Sequence, residues 1–180
     1  MDLTDRAEHE AFRGEVRQFL DENKHLAPDV SAFTLRMRPR NLGQEVRDWQ
    51  GLLIDRGFTS RTIPKAYGGF GGEPDILKSR IIADEFYAAD TVQGLRNMSI
   101  SMLVPTMLEH GTEEQKQRYI EPSIRSELVW CQGYSEPNAG SDLASLQTAA
   151  TEDGDDFIIN GQKIWTSGAH VADMMFCLVR

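Results

Sequence analysis

The chain has 180 residues, of which 40% are apolar, and its 28 acidic and 19 basic side chains leave a formal charge of -9. That size and apolar content suit one ordinary packed domain and part of a second. The acidic balance, with the basic residues scattered, excludes nucleic acid and anionic membrane as partners, and no apolar run approaches the ~18 to 20 residues that span a bilayer.

The opening MDLTDRAEHE is acidic and polar, unlike a secretory or mitochondrial presequence, so the chain is expected in the cytoplasm. Phe12, Val16, Phe19 and Leu20 then recur at helical spacing and predict a first helix to about Asn23, with Asp5 and Glu8 as a capping pair. Val46, Trp49, Leu52 and Leu53 mark one face of a second helix, which Gly57 is placed to stop in a left-handed conformation. After the loop TIPKAYGGFGGEPD, Leu77, Ile81 and Phe86 predict a third. The run GLRNMSISMLVPTMLEHG is apolar all round, as a buried helix is, and Pro105 either kinks it or opens a second piece. Thr112 and Gln115 have capping-box spacing at the next helix, which Pro122 is expected to end.

Beyond Glu127 the period changes. LVWCQGY, LQTAAT, FIIN, QKIWTS and MMFCLV are short strand-like runs, and Asn160-Gly161 between two of them is the strongest hairpin signal. The expected fold is therefore α+β: an all-α domain over 1–127, followed over 128–180 by an incomplete antiparallel β-barrel-like domain with too few strands to close. Cys131 and Cys177 lack metal-ligand spacing and read as reduced, strand-borne thiols, so no metal site is expected.

Two short stretches carry chemistry. SEPNAGSD is a proline-set loop offering Ser135, Asn138, Ser141 and Asp142, with Gly140 permitting close backbone approach. It serves either as a plain turn with side-chain caps or as a nest of N–H groups for an anion. In QKIWTS, strand alternation would turn Trp165 and Ser167 to one face, placing a flat apolar wall beside a hydroxyl, although a strand tryptophan also serves as core.

The stretch from YSEPNAGSD through NGQKIWTSG to Arg180 resembles the middle β domain of the acyl-CoA dehydrogenase family, and IPKAYGGFGG and HGTEEQKQRYIEPSIRSE resemble its N-terminal helical domain. The resemblance implies an FAD-dependent oxidoreductase that converts an acyl-CoA thioester to the 2,3-enoyl-CoA and passes electrons to an electron-transfer flavoprotein. It places Gln132, Tyr134, Ser135, Gly140 and Ser141 in a first flavin-contacting run and Trp165, Thr166 and Ser167 in a second. Ser141 would also lie near the acyl-CoA ester. Ser135 and Ser167 stand where the family often has threonine, and they keep the hydroxyl donor. The family's catalytic glutamate lies in a C-terminal helical domain, so no residue here is expected to be the base. The chain is expected to be truncated, inactive alone, and homo- or hetero-oligomeric when complete. The alternative is a non-catalytic flavin- or acyl-CoA-binding subunit completed by a partner chain. Glu136 is expected to cap or form a salt bridge, while Glu85, Glu109, Glu113 and Glu114 look like solvated helix faces. His9, His25 and His110 lack ligand partners at useful spacing, and His170 follows the flavin-facing run.

Overall fold

The computed structural model describes residues 7–29 and 42–180, and the chain divides into two compact units, Met1–Glu127 and Leu128–Arg180. The organisation is α+β. Among the described residues no helix is long and apolar enough to cross a membrane.

The first unit contains α1 (Ala7–Asn23), α2 (Gln44–Asp55), α3 (Ile76–Ala88), α4 (Val104–His110) and α5 (Glu113–Ile124). The expected Asp5 cap lies outside the described residues. Phe12, Val16, Phe19 and Leu20 of α1 meet Trp49 and Leu53 of α2, Phe58, and Ile81, Ile82 and Phe86 of α3 in one buried cluster. Phe19 sits at its centre, its ring 4.8 Å from Phe58 and 5.8 Å from Trp49 between centroids. A second cluster joins Ile54 and Ile63 to Val104, Ile120 and Ile124.

Helix ends follow their local chemistry. Gly57, at φ +71, closes α2 by a Schellman motif: its N–H bonds Ile54 O and the Phe58 N–H bonds Leu53 O. Asp90 and Ser126 end α3 and α5 in the same way, at φ +51 and +58. Thr112 and Gln115 form the reciprocal capping box of α5. Pro105 opens α4 near its first position, where a missing N–H costs nothing, and a π-helical turn, Ser99–Leu103, precedes it. That region is not buried all round, since Ser101, Met102, Pro105 and Thr106 face solvent. Pro122 lies inside α5 rather than at its end, because the last turn has its own anchors. Ile120, Ser123 and Ile124 are buried, and Gln50 Nε2 donates to the otherwise orphaned carbonyl of Ile124 at 2.8 Å.

Glu85 is not a solvated face. It is 8% exposed and receives Arg13 and Arg17 of α1, each at 2.8 Å, which holds its carboxyl below the ordinary range, the Arg17 hydrogen bond contributing most. Glu109 and Glu113 are exposed, and Glu113 accepts from the Tyr67 hydroxyl.

The second unit carries β1 (Trp130–Gly133), β2 (Ala149–Asp153), β3 (Asp156–Asn160) and β4 (Met174–Cys177). β2 and β3 are antiparallel, whereas β1 and β4 pair in parallel, with Trp130 opposite Met174 and Gly133 opposite Cys177. The β2–β3 hairpin turns at Gly154–Asp155, not at Asn160-Gly161. Gly154 supplies φ +65 at the first central position, as a II′-type turn requires, and β3 ends at Asn160. Gly161 serves close approach instead: a Cβ there would lie 2.6 Å from Thr148 Cα. The expected strand QKIWTS does not form, since residues 162–166 are irregular. Both thiols are free and strand-borne, and burial raises the Cys131 pKa.

Candidate functional site

The site lies within the second unit. β1 delivers Tyr134 to its end, where the ring packs edge-on to Phe176 of β4 at 5.7 Å. Gly133 allows the two strands to close, since a Cβ there would fall 3.1 Å from Cys177 Sγ. The chain then turns tightly through Pro137-Asn138: the Glu136 N–H bonds Ala139 O at 2.8 Å and the Ala139 N–H bonds Glu136 O at 3.1 Å. Those two amides are consumed by the turn itself, so the loop SEPNAGSD does not offer them to an anion.

The neighbouring N–H pair, Gln147 and Thr148, meets an anion of the chain's own. The Glu136 side chain folds back to accept from Gln147 N at 2.6 Å, Thr148 N at 2.9 Å and Lys163 Nζ at 2.8 Å. Both partners of this ion pair are buried, at 9% and 7% side-chain exposure. The Lys163 hydrogen bond, followed by those of Thr148 and Gln147, depresses the Glu136 pKa from 4.5 to about 2. Lys163 also donates to Tyr134 O at 3.1 Å.

One residue on, Ile164 N donates to Ser135 O at 2.9 Å, and Trp165 follows at φ +55 with 86% of its surface exposed. The left-handed backbone at Trp165 breaks strand alternation, so the reason given for placing Trp165 and Ser167 on one face does not apply. A different device orders the segment. Ser167 N bonds Trp165 O at 3.0 Å and Ala169 N bonds Thr166 O at 3.2 Å, a pair of tight turns that present the indole to solvent. Thr166 Oγ1 is buried without a hydrogen-bond partner.

The structure thus joins part of the expected set. Tyr134 and Ser135 meet the segment that carries Trp165, Thr166 and Ser167 through the bonds to Lys163 and Ile164. Gln132 is half-buried on β1. Gly140 and Ser141 are exposed beyond the Pro137-Asn138 turn, and open space surrounds Gly140. His170 is exposed in the turn after Ser167. Sequence reasoning overlooked Lys163. Its only local trace is a lone basic residue in an otherwise uncharged NGQKIWTSG, and its partner stands 27 positions away.

Comparison with known proteins identifies the family of the chain. The family model for the acyl-CoA dehydrogenase N-terminal domain matches residues 6–127, and that for the middle domain matches residues 131–180. Acyl-CoA dehydrogenase IpdE1 of Mycobacterium tuberculosis is 38% identical over 95% of this chain and 44% of its own length. The short-chain-specific acyl-CoA dehydrogenase of Clostridium acetobutylicum is 34% identical over 96% and 43%. Among solved structures, the Tcur3481-Tcur3483 steroid ACAD superposes with a TM-score of 0.65 at 34% identity, covering 100% of this chain and 45% of that one. The ChsE4-ChsE5 complex from Mycobacterium tuberculosis gives 0.66 at 31%, covering 100% and 44%. The chain spans less than half the length of these relatives. With both domain models matched in order along nearly all of its residues, the chain belongs to the acyl-CoA dehydrogenase family.

Proposed function

We propose that residues 128–180 form the flavin-facing wall of an acyl-CoA dehydrogenase that converts an acyl-CoA thioester to its 2,3-enoyl-CoA. The observation that carries this reading is the Ser135 O to Ile164 N bond, which sets the two family runs side by side at the foot of an exposed indole. FAD suits the residues present. Thr166 Oγ1 is a buried hydroxyl in want of a partner, Ser135 and Ser167 add two more hydroxyls, and Trp165 offers an apolar plate to a planar ring. When bound, FAD supplies the acceptor for the substrate's β-hydride, while the α-proton goes to a base not assigned to any residue of this chain.

The chain's own part is orientation and exclusion. The exposed Trp165 indole would cover one side of the ring system and keep water from it. Ser135, Thr166 and Ser167 supply the hydroxyls that would hold the ring, and by the family resemblance Ser167 would be the one nearest N5. Gln132 and Tyr134 contribute from the β1 side. Gly140 leaves room for the pyrophosphate, and the exposed Ser141 hydroxyl takes the pyrophosphate and the thioester end of acyl-CoA. An electron-transfer flavoprotein is the expected electron acceptor.

The names of two structural neighbours join two components each, Tcur3481 with Tcur3483 and ChsE4 with ChsE5. They favour a second reading in which this chain completes its site with a different chain. The first of those names also puts steroid-derived acyl-CoAs first among the substrates to assay.

The test is a visible absorption spectrum of the purified chain after loading with FAD and removal of the free cofactor. Retained flavin bands that weaken in Trp165→Ala support the reading. Bands equally strong in Trp165→Ala overturn the role given to the indole, and a colourless chain overturns the view that these residues hold FAD unaided.

A further inference from the structure

The Lys163–Glu136 pair has no direct part in the chemistry just described, yet it occupies the junction of the two flavin runs. Its members tie four stretches of chain: the exit of β1 at Tyr134, the SEPNA turn, the Gln147-Thr148 amides and the approach to Trp165. The carboxylate takes three donors and the ammonium two acceptors, with both groups nearly out of water. A buried pair held by four hydrogen bonds is stiff, because moving either end strands a charge.

Two positions beyond Lys163 stands a strained residue. Trp165 adopts φ +55, a left-handed conformation that a bulky side chain disfavours. Such a backbone persists only where its surroundings over-determine it. After Trp165 stand the two tight turns already described. Before it stand the Ser135 O to Ile164 N bond and, one residue earlier, the Lys163 clamp.

Resting on the flavin reading above, we propose that Lys163 and Glu136 are positioning residues whose buried ion pair holds Trp165 in its left-handed conformation and sets its spacing from Ser135. With the ammonium gone, Trp165 relaxes to an ordinary extended backbone and its indole swings off the flavin wall. The fold of the unit, anchored by the β1–β4 ladder, remains.

Three tryptophans make this testable on the full chain. Trp165 is exposed, Trp130 is buried on β1 of the same unit, and Trp49 is buried in the helical unit. The indole N–H signals of 15N-labelled protein, assigned with Trp165→Phe, are recorded for wild type, Lys163→Met and Lys163→Arg, and FAD affinity is titrated in parallel. The expected result in Lys163→Met is a moved Trp165 signal, an unmoved Trp130 signal and FAD binding weakened about 10- to 100-fold, with Lys163→Arg restoring most of both. An unmoved Trp165 signal overturns the proposal whatever the FAD affinity. If Lys163→Met also displaces Trp130, Glu136→Gln decides by the same signals, since its amide keeps an oxygen for the Thr148 amide. If wild type binds no FAD, the flavin reading fails on its own, and the Trp165 signal alone decides the role of the pair.

Discussion

Gln50→Leu isolates the polar hub of the helical unit. Gln50 is fully buried, its Nε2 donating to Ile124 O at 2.8 Å and its Oε1 accepting from Leu95 N at 2.9 Å. Leucine fills nearly the same volume and removes both bonds, leaving a helix-terminal carbonyl and a loop amide unpaired inside the protein. Each of the two stranded groups costs about 1–3 kcal/mol, partly offset by about 1–2 kcal/mol from the more apolar side chain, so the net loss centres on about 2.5 kcal/mol. That is a large share of the ~5–15 kcal/mol that keeps an ordinary domain folded. The assay is urea unfolding followed by far-ultraviolet circular dichroism, which reports this unit because the five described α-helices lie in it. Gln18→Leu is the control: its bond to Glu22 is exposed, and its loss is worth under about 0.5 kcal/mol. If Gln50→Leu unfolds within that same margin of wild type, the reasoning that these two bonds hold α2, α5 and the Leu95 loop together is wrong.

Phe19→Ala, which empties the space between Trp49, Phe58 and Phe86, lowers stability in the same assay by about 3–5 kcal/mol; a loss below about 1 kcal/mol would mean that the three rings close over the gap. The β unit has an acid-sensitive component set by Glu136. Its pKa is depressed from 4.5 to about 2, so its contribution is complete above pH 4.5 and fades as pH falls towards 2. Urea midpoints read by the Trp130 indole N–H signal of 15N-labelled protein are therefore expected to fall between pH 6 and pH 3 in wild type, with a smaller fall in Glu136→Gln. Equal falls in the two proteins would show that other groups govern the acid response.

The helical unit was largely legible because its signals are local. Thr112 and Gln115 cap a helix three residues apart, Gly57 stops one at the next turn, and the apolar spacing of Phe12, Val16 and Phe19 marks the buried face of α1. Glu85 was misread for the opposite reason: its arginines lie 68 and 72 residues away, and nothing around it in the chain announces them. The β unit was harder throughout. Gly154-Asp155 and Asn160-Gly161 are both acceptable turns by composition, and only the pairing of Ala149 with Asn160 chooses between them. The parallel match of Trp130 with Met174 spans a separation that no turn signal encodes. The residues proposed for the candidate site come from the two family runs. Their arrangement was not legible there, because it depends on the positive φ of Trp165 and on a lysine that meets its carboxylate only after folding.

The β2–β3 hairpin has an unusual way of keeping its frame. In most sheets a slip of one residue turns an apolar set from the core into water, and that penalty fixes the pairing. Here Phe157, Ile158 and Ile159 are 63%, 59% and 58% exposed, so both faces of β3 are already wet and a slip turns nothing from inside to outside. β2 is secured at its start, where Ala150 N bonds Arg180 O and Arg180 N bonds Thr148 O. β3 has its frame from the two-residue turn at Gly154. One residue inserted there would re-pair the whole strand with no change in what is buried, so in this hairpin the turn, and not the apolar pattern, carries the positional information.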